Sequence, residues 1–452
     1  MSKILITGAS GFIGKALIQT LLDQTEHEII ALSRYERSSD HPRLTWKRCD
    51  LFSLKDLMNV MEGIDVAYYL VHSMLPSASL SQGTFYDFDL LLADNFRRAA
   101  EVFKIKHIIY LGGMIPEAGN LSWHLKSRLE VEQALRSSAI PVTALRAGLI
   151  IGPDGSSFTI LERLTERLPM LVCPAWTRTL SQPIALQDVM KVMKRALEDP
   201  SVRGRIFDIG GKEVVSYQNL IQKTAVMLGR KRPIYNLNLI PLGLSRFWVS
   251  LVTGVSRDLV YPLVLSLKHE MLQHPKYAWP YPQDLTTDLN TALTLSQQKK
   301  THPQFSGFMP KRKDVRSIQR LVLPKGKNAL WVAEEYFRWL PPFLSSLVRI
   351  QIDGDRCTFY FFSKKIRLLV LERNRERSSS DRQLLYIVGG LLAKVHDRGR
   401  LEFREVLNHQ YVLAAIHEFT PALPWFVYKY TQAILHLIVM NAFGRHLRNL
   451  KP

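Results

Sequence analysis

The sequence predicts an α/β protein: a doubly wound parallel sheet in its N-terminal part, followed by an α+β domain. Three observations predict it. Short apolar runs alternate with helical patterns through the first 150 residues, which calls for a parallel sheet covered on both faces. A glycine-rich turn joins the first apolar run to the first helix. Toward the C-terminus the texture changes to closely spaced β-rich runs closed by a long amphipathic stretch.

Ile4–Thr7, Glu28–Leu32, Asp65–Val71, His107–Leu111 and Pro141–Arg146 read as strands, and Lys15–Leu22, Leu54–Met61, Phe88–Phe103 and His124–Ser137 as helices. Right-handed crossovers make such a sheet doubly wound, with ligands at the carboxyl ends of its strands. The expected domains are 1–238, with a substrate subdomain that includes strand Ile206–Ile209 and helix Tyr217–Leu228; an apolar helical segment 239–278; a basic linker 279–326; and an α+β domain 327–452. In the last, Cys357–Phe362 and Ile366–Glu372, split by Ser363-Lys364-Lys365, read as a hairpin. Leu384–Ala393, Arg400–Val406 and Tyr411–Phe419 continue as strands, and Trp425–Leu447 reads as one helix. Its stripe of Trp425, Phe426, Tyr428, Tyr430, Ile434, Leu435, Leu437, Ile438 and Met440 reads as core-facing.

Sixty Lys and Arg stand against 40 Asp and Glu, a net charge of +20 that is heaviest at places such as Lys311-Arg312-Lys313 and Lys364-Lys365. With no helix-turn-helix or zinc-knuckle pattern interleaved, this excludes a nucleic-acid reader and leaves solvated surface or an anionic membrane face. The three cysteines are far apart, which argues against disulfides and a metal site and for a reducing compartment. The chain enters a strand directly, without a signal peptide. The apolar stretches Leu239–Leu267 and Pro424–Phe443 are interrupted by Arg246, Arg257, Asp258, Lys429 and His436, so neither reads as a spanning helix. The expected location is the cytoplasm, with peripheral contact at the inner face of a membrane as the alternative.

The turn reads Thr7-Gly8-Ala9-Ser10-Gly11-Phe12-Ile13-Gly14. Gly8 permits the tight turn, Gly11 lets backbone approach a pyrophosphate, and Gly14 lets the helix pack on the sheet. Free N–H groups at the helix start hold the anion. Because it follows a strand and opens an amphipathic helix, the turn predicts a bound nicotinamide dinucleotide. The second strand ends at Leu32-Ser33-Arg34, where an acid would accept from a ribose 2′-OH and an arginine pairs with a 2′-phosphate; Arg34, with Arg37 near it, selects NADP over NAD.

The GxxGxxG spacing behind Thr7 resembles that of short-chain dehydrogenases/reductases, in their extended and atypical branch with the epimerase-like and NmrA-like proteins, over residues 3–230. The resemblance implies a Rossmann domain with Asp50 and Leu51 at the adenine, Val71 and His72 beside the cofactor ribose, and Asn95 as the structural helix asparagine. It also implies a Ser, Tyr and Lys that move the proton. Here Gly112-Gly113 stand where the serine is expected, His124 where the tyrosine is expected and Arg128 where the lysine is expected.

Two readings follow. In one, His124 is the acid/base and the charge of Arg128 keeps its imidazole neutral. In the other, the site binds NADP without chemistry. Tyr110 is a weaker substitute acid, and Glu130 and Glu132 read as solvated. Trp176, Arg178 and Gln182 fall where extended members build the substrate pocket. The C-terminal texture resembles the START-like (SRPBCC) helix-grip fold, which encloses apolar ligands; His417 and Glu418 have no metal geometry behind them. Together these point to an NADP-dependent oxidoreductase of a hydrophobic small molecule, against an NADP-sensing or assembly protein or a peripheral lipid-handling protein.

Overall fold

A computed structural model describes residues 1–72, 80–117, 119–237, 241–298, 315–344, 348–362, 365–396 and 398–450. The expectations at Lys311–Lys313 and at Ser363-Lys364 lie outside the described residues. The chain divides into two compact units, one of residues 1–75 and 92–307, the other of residues 76–91 and 308–452.

The first unit is built on a seven-stranded parallel sheet of β1 (Lys3–Ile6), β2 (Glu28–Ser33), β3 (Leu44–Arg48), β4 (Val66–Tyr69), β6 (His107–Gly113), β7 (Val142–Ala147) and β12 (Ile206–Ile209). Its spatial order is β12-β7-β6-β4-β1-β2-β3. β4 and β7 are buried along their whole length, which is why they read as unbroken apolar runs. Helices α1 (Phe12–Gln24) and α6 (Leu186–Glu198) bury Leu17, Leu21, Val189 and Met193 in the same core as Ile4 and Ile6. The remaining helices of the α/β alternation are α2 (Leu54–Val60), α3 (Phe85–Val102), within which the division between units falls, and α4 (Trp123–Arg136).

The substrate subdomain pairs β8 (Ile150–Ile151) with β11 (Ile184–Ala185), β9 (Leu171–Cys173) with β14 (Ile234–Asn236) and β10 (Leu180–Ser181) with β13 (Val215–Ser216). Around them lie α5 (Ser156–Arg167), α7 (Tyr217–Met227), α8 (Leu242–Thr253) and α9 (Arg257–Ser266).

The expected linker 279–326 is corrected. Trp279 is buried edge-on against Phe207, and its indole N–H donates to Asp284 at 3.0 Å. Helix α10 (Leu289–Gln298) then packs Leu289 and Leu293 into the first unit, and by Val315 the chain is already in a strand of the second. In the described residues 279–298, polar composition marks a one-sided helix and turns, which bury only a few apolar residues.

The second unit has an eight-stranded sheet. β16 (Val348–Asp353), β17 (Arg356–Phe361), β18 (Arg367–Arg373), β19 (Arg382–Gly389), β20 (Arg400–Val406) and β21 (Tyr411–Phe419) form an antiparallel meander, and β21 pairs back onto β15 (Val315–Val322). The hairpin expected around Ser363 is β17–β18.

The N-terminal boundary of 327 does not hold. β15 precedes it, and β5 (Leu80–Gln82) joins β15 in parallel from far earlier in the chain. Gln82 donates to the Ala433 carbonyl at 3.0 Å and accepts from Ser317, while Asp87 pairs with Arg320 at 2.7 Å. α11 (Ala329–Leu344), with no counterpart in the expected elements, packs Val332, Tyr336 and Leu340 against Phe403 and Phe443. The single C-terminal helix is two, α12 (Trp425–Tyr430) and α13 (Gln432–Asn449), broken where Thr431 takes φ −125° and ψ −84°. Its stripe is split accordingly: Tyr428 and Met440 are buried, while Phe426, Tyr430, Ile434, Leu435 and Ile438 are exposed. Among the described residues, no helix is long and apolar enough to cross a membrane.

Two histidines couple this packing to pH. His107, in the first unit, bonds Thr143 Oγ1 at 2.8 Å, and His417, in the second, lies 3.1 Å from Glu402. Burial pushes both imidazoles down to about 4. They are neutral when folded but titrate near 6.5 when unfolded, so below pH 6.5 the unfolded chain binds protons that the folded one refuses. Stability is therefore lost as pH falls from about 6.5 to 4, by up to ~3 kcal/mol per histidine. Denaturant unfolding across that range should show the decline, and His417→Gln should flatten it; an unchanged slope in the variant would contradict the account.

Candidate functional site

The carboxyl ends of β1 and β4 are tied together by Thr7. Its hydroxyl donates to the Tyr68 carbonyl at 3.1 Å and accepts from the Leu70 N–H at 3.0 Å. Gly8 follows at φ +67°, and a Cβ there would lie 2.7 Å from the Leu70 carbonyl oxygen. A Cβ on Gly14 would lie 2.3 Å from the Gly8 carbonyl oxygen, so α1 rests directly on the turn. Gly11 donates to Gly8 at 2.9 Å and starts the helix without a side-chain cap; the first turn of α1 carries no acid. Ser10 is partly exposed within the turn. Ile13 packs on the sheet core, and Phe12 lies against Gly152 and Gly155, where a Cβ would come within 2.9 and 3.2 Å of its ring. Backbone donors, the dipole and glycine-only spacing at one helix start fit a dinucleotide pyrophosphate.

Arg34 is exposed immediately beyond β2. Arg37 is placed differently: its Nε donates to Ser33 at 3.3 Å, and its guanidinium lies 5.4 Å above the Trp46 ring. Asp50 accepts from the Phe52 N–H, and Leu51 is buried. The buried Asn95 amide donates to the Leu51 and Phe52 carbonyls at 2.9 and 3.2 Å, which fixes this turn after β3.

Val71 and His72 leave the end of β4. His72 Nδ1 takes a hydrogen bond from Arg128 Nη2 at 2.9 Å, and its ring centre is 5.5 Å from that of His124. His124 Nδ1 lies 3.1 Å from Ser266 Oγ, at the end of α9. Ser266 also meets Ser122 Oγ at 2.9 Å and donates to the Pro262 carbonyl at 3.0 Å. Ser122 caps α4 by accepting from the Leu125 N–H. The Ser266 hydroxyl thus has the Pro262 carbonyl, Ser122 Oγ and His124 Nδ1 around it, and the last contact fixes the orientation of the His124 ring.

The glycine turn, the end of β4 and the His124–Arg128 face of α4 thus form one arc. Other expectations are corrected. The Tyr110 hydroxyl donates to the Arg128 carbonyl from a fully buried position, which makes it a sheet-core residue. Glu130 and Glu132 are buried; Glu132 holds Arg146 with two bonds of 2.8 Å. Gln182 is used structurally, donating to the Gly211 carbonyl and accepting from the Gln273 N–H. Trp176 donates to Ser245, and Arg178 is exposed. Ser266 was missed: 142 residues from His124, it has no local signal. Ser122 had one, since a serine three residues before Leu125 is a cap pattern.

Residues 4–120 match the profile of the NAD dependent epimerase/dehydratase family. Auxiliary protein GraX of Staphylococcus aureus is 34% identical over 113 residues, which are 25% of this chain and 36% of GraX. The chain thus spans about a third of that relative's length. An uncharacterized UDP-glucose epimerase, YtcB of Bacillus subtilis, is 22% identical over 312 residues, 61% of this chain and 97% of YtcB. Among solved structures, a nucleoside-diphosphate-sugar epimerase from Staphylococcus aureus superposes with TM-score 0.52 at 17% identity, covering 65% of this chain and 99% of its own. The Citrobacter sp. triphenylmethane reductase does so with TM-score 0.52 at 18%, covering 66% and 100%. Both likenesses establish the fold.

Gly14→Ala tests the cradle. Its methyl group would have to push α1 off the turn, so NADPH affinity measured by titration calorimetry should fall at least ~10-fold, about 1.4 kcal/mol. Unchanged affinity would mean that the nucleotide does not lie on this turn.

Proposed function

We propose that the protein is an NADP-dependent oxidoreductase acting on a hydrophobic small molecule, with His124 as its acid/base. The observation that carries the reading is the hydrogen-bond chain Leu125–Ser122–Ser266–His124, which holds one imidazole in a fixed orientation at the start of α4. A bound nicotinamide would supply or accept the hydride. The chain's own residues do the rest. The glycine turn and the α1 N-terminus hold the pyrophosphate. Asn95 keeps the adenine-side turn in place. His124 Nε2 takes the proton from a substrate hydroxyl in the oxidative direction, and the imidazolium returns it to the carbonyl oxygen in the reductive one.

Arg128 orients His72 through Nδ1 and keeps a positive charge on that side of the site. Met114, Leu125 and Met271 cluster beside the start of α4, which supports an apolar substrate. The exposed Arg34, at the place where NAD binders carry an acid, supports the 2′-phosphate. In the second unit, the strand order β16-β17-β18-β19-β20-β21-β15, with α13 packed on β15, supports a helix-grip, START-like fold.

Titration calorimetry should give tighter binding of NADPH than of NADH, and Arg34→Glu should erase the difference; equal affinity in the parent would remove the NADP assignment. Activity on a panel of aldehydes, ketones and quinones should fall ~100-fold or more in His124→Ala. Ser266→Ala, which leaves Nδ1 without its partner, should lower kcat ~10-fold, move the pH profile and leave KM unchanged, with recovery in Ser266→Thr. Full turnover in His124→Ala would end its acid/base role.

A further inference from the structure

Within the second unit, one end of the sheet differs from the other in chemistry. The close of β17, the start of β18, the loop after β19 and the close of β21 all meet there. Backbone bonds stitch these segments side by side: Phe361 to Ile366, Leu391 to Arg367, Ala422 to Leu392 and Lys394 to Thr420. α12 begins immediately beyond.

This end is apolar where it should be wet. Phe362 is 58% exposed, Leu391 65%, Phe426 75% and Tyr430 56%. Isolated exposed apolar residues are ordinary, but a contiguous group from three neighbouring segments marks an interaction surface. Exposed cations lie among them: Lys365, Arg367, Lys394 and Lys429. Glu418 is the only carboxylate described at this end, and Arg398 lies 3.7 Å from it. The opposite end carries Asp353, Asp355, Glu372 and Glu376, with Arg375 on Asp355 at 2.7 Å and Arg356 on Glu372 at 2.6 Å.

We propose that this end of the second unit docks on an anionic lipid bilayer, with Phe362, Leu391 and Phe426 entering the headgroup–acyl boundary and Lys365, Lys394 and Lys429 meeting acidic headgroups. The chemistry points to lipid. Aromatic rings and aliphatic chains interleaved with lysine suit an interface that is apolar below and negatively charged above. Ile434, Leu435 and Ile438, exposed on the first two turns of α13, extend the apolar face away from the tip by about the depth that such helices reach. A protein interface of this size would deplete lysine at its centre, which this surface does not. The docking uses neither His124 nor the glycine turn, so it stands apart from the proposed chemistry.

Flotation of the full chain with phosphatidylcholine vesicles, with and without roughly a third phosphatidylserine, tests it. Binding should need the anionic lipid and weaken at high salt. Phe362→Asp with Phe426→Asp, and separately Lys394→Glu with Lys429→Glu, should each lower the bound fraction at least ~10-fold, while circular dichroism and thermal unfolding stay at parent values. Three results would overturn the proposal: no flotation of the parent at low salt, equal flotation on phosphatidylcholine alone, or light scattering that shows a lipid-free dimer dispersed by the aspartate pair, which would make the face a contact between copies.

Discussion

Everything in the first unit is referred to one close approach. A Cβ on Gly14 would sit 2.3 Å from the Gly8 carbonyl oxygen, and one on Gly8 would sit 2.7 Å from that of Leu70. Helix, turn and the exit of β4 therefore touch through backbone, without side chains between them. β1 and β4 are neighbours, and the order of the sheet reverses between them, since β2 and β3 lie on one side and β6, β7 and β12 on the other. The crevice at such a switch point is where open parallel sheets bind ligands. Thr7, spanning both strands, fixes its width. The exit of β4 then delivers His72 to Arg128, so the spacing of the phosphate turn also sets where α4 presents its polar face.

In the role proposed for it, that face would use a different solution from the tyrosine–lysine pair that the family resemblance implies. A phenol needs a nearby cation to give up its proton near neutral pH, whereas an imidazole needs the correct tautomer. Two serines stand at that ring: Ser266 Oγ lies 3.1 Å from His124 Nδ1, and Ser122 Oγ, which also caps α4, lies 2.9 Å from Ser266 Oγ. The site thus draws on α9, inside what reads in sequence as a plain apolar segment.

How much was legible follows from how local each determinant is. The glycine turn, Asn95 and the His124–Arg128 spacing each sit within one or two elements, so a local pattern in the sequence is enough to single them out. Gln182 and Glu132 were misread because their partners, Gly211, Gln273 and Arg146, come from other elements. β5 was invisible for a different reason: three residues cannot show an alternation, and its partner β15 lies more than 200 residues further on. The broken C-terminal helix shows the limit of periodicity. The stripe is continuous in sequence, but the turn at Thr431 divides it, and only part of it faces the core.

The charge balance gains meaning once burial is known. In the second unit the inner charges are matched locally: Glu402, fully buried, is held well below the usual carboxylate range by the guanidinium groups of Arg382 and Arg404, against the cost of its own burial. Asp87 and Arg320 do the same where β5 joins. Such pairs are expensive to break but contribute little to the field outside. What a partner senses is the unmatched remainder, and at one end of the sheet that remainder is lysine set among exposed rings. The combination suits a boundary that is charged and greasy within a few ångströms.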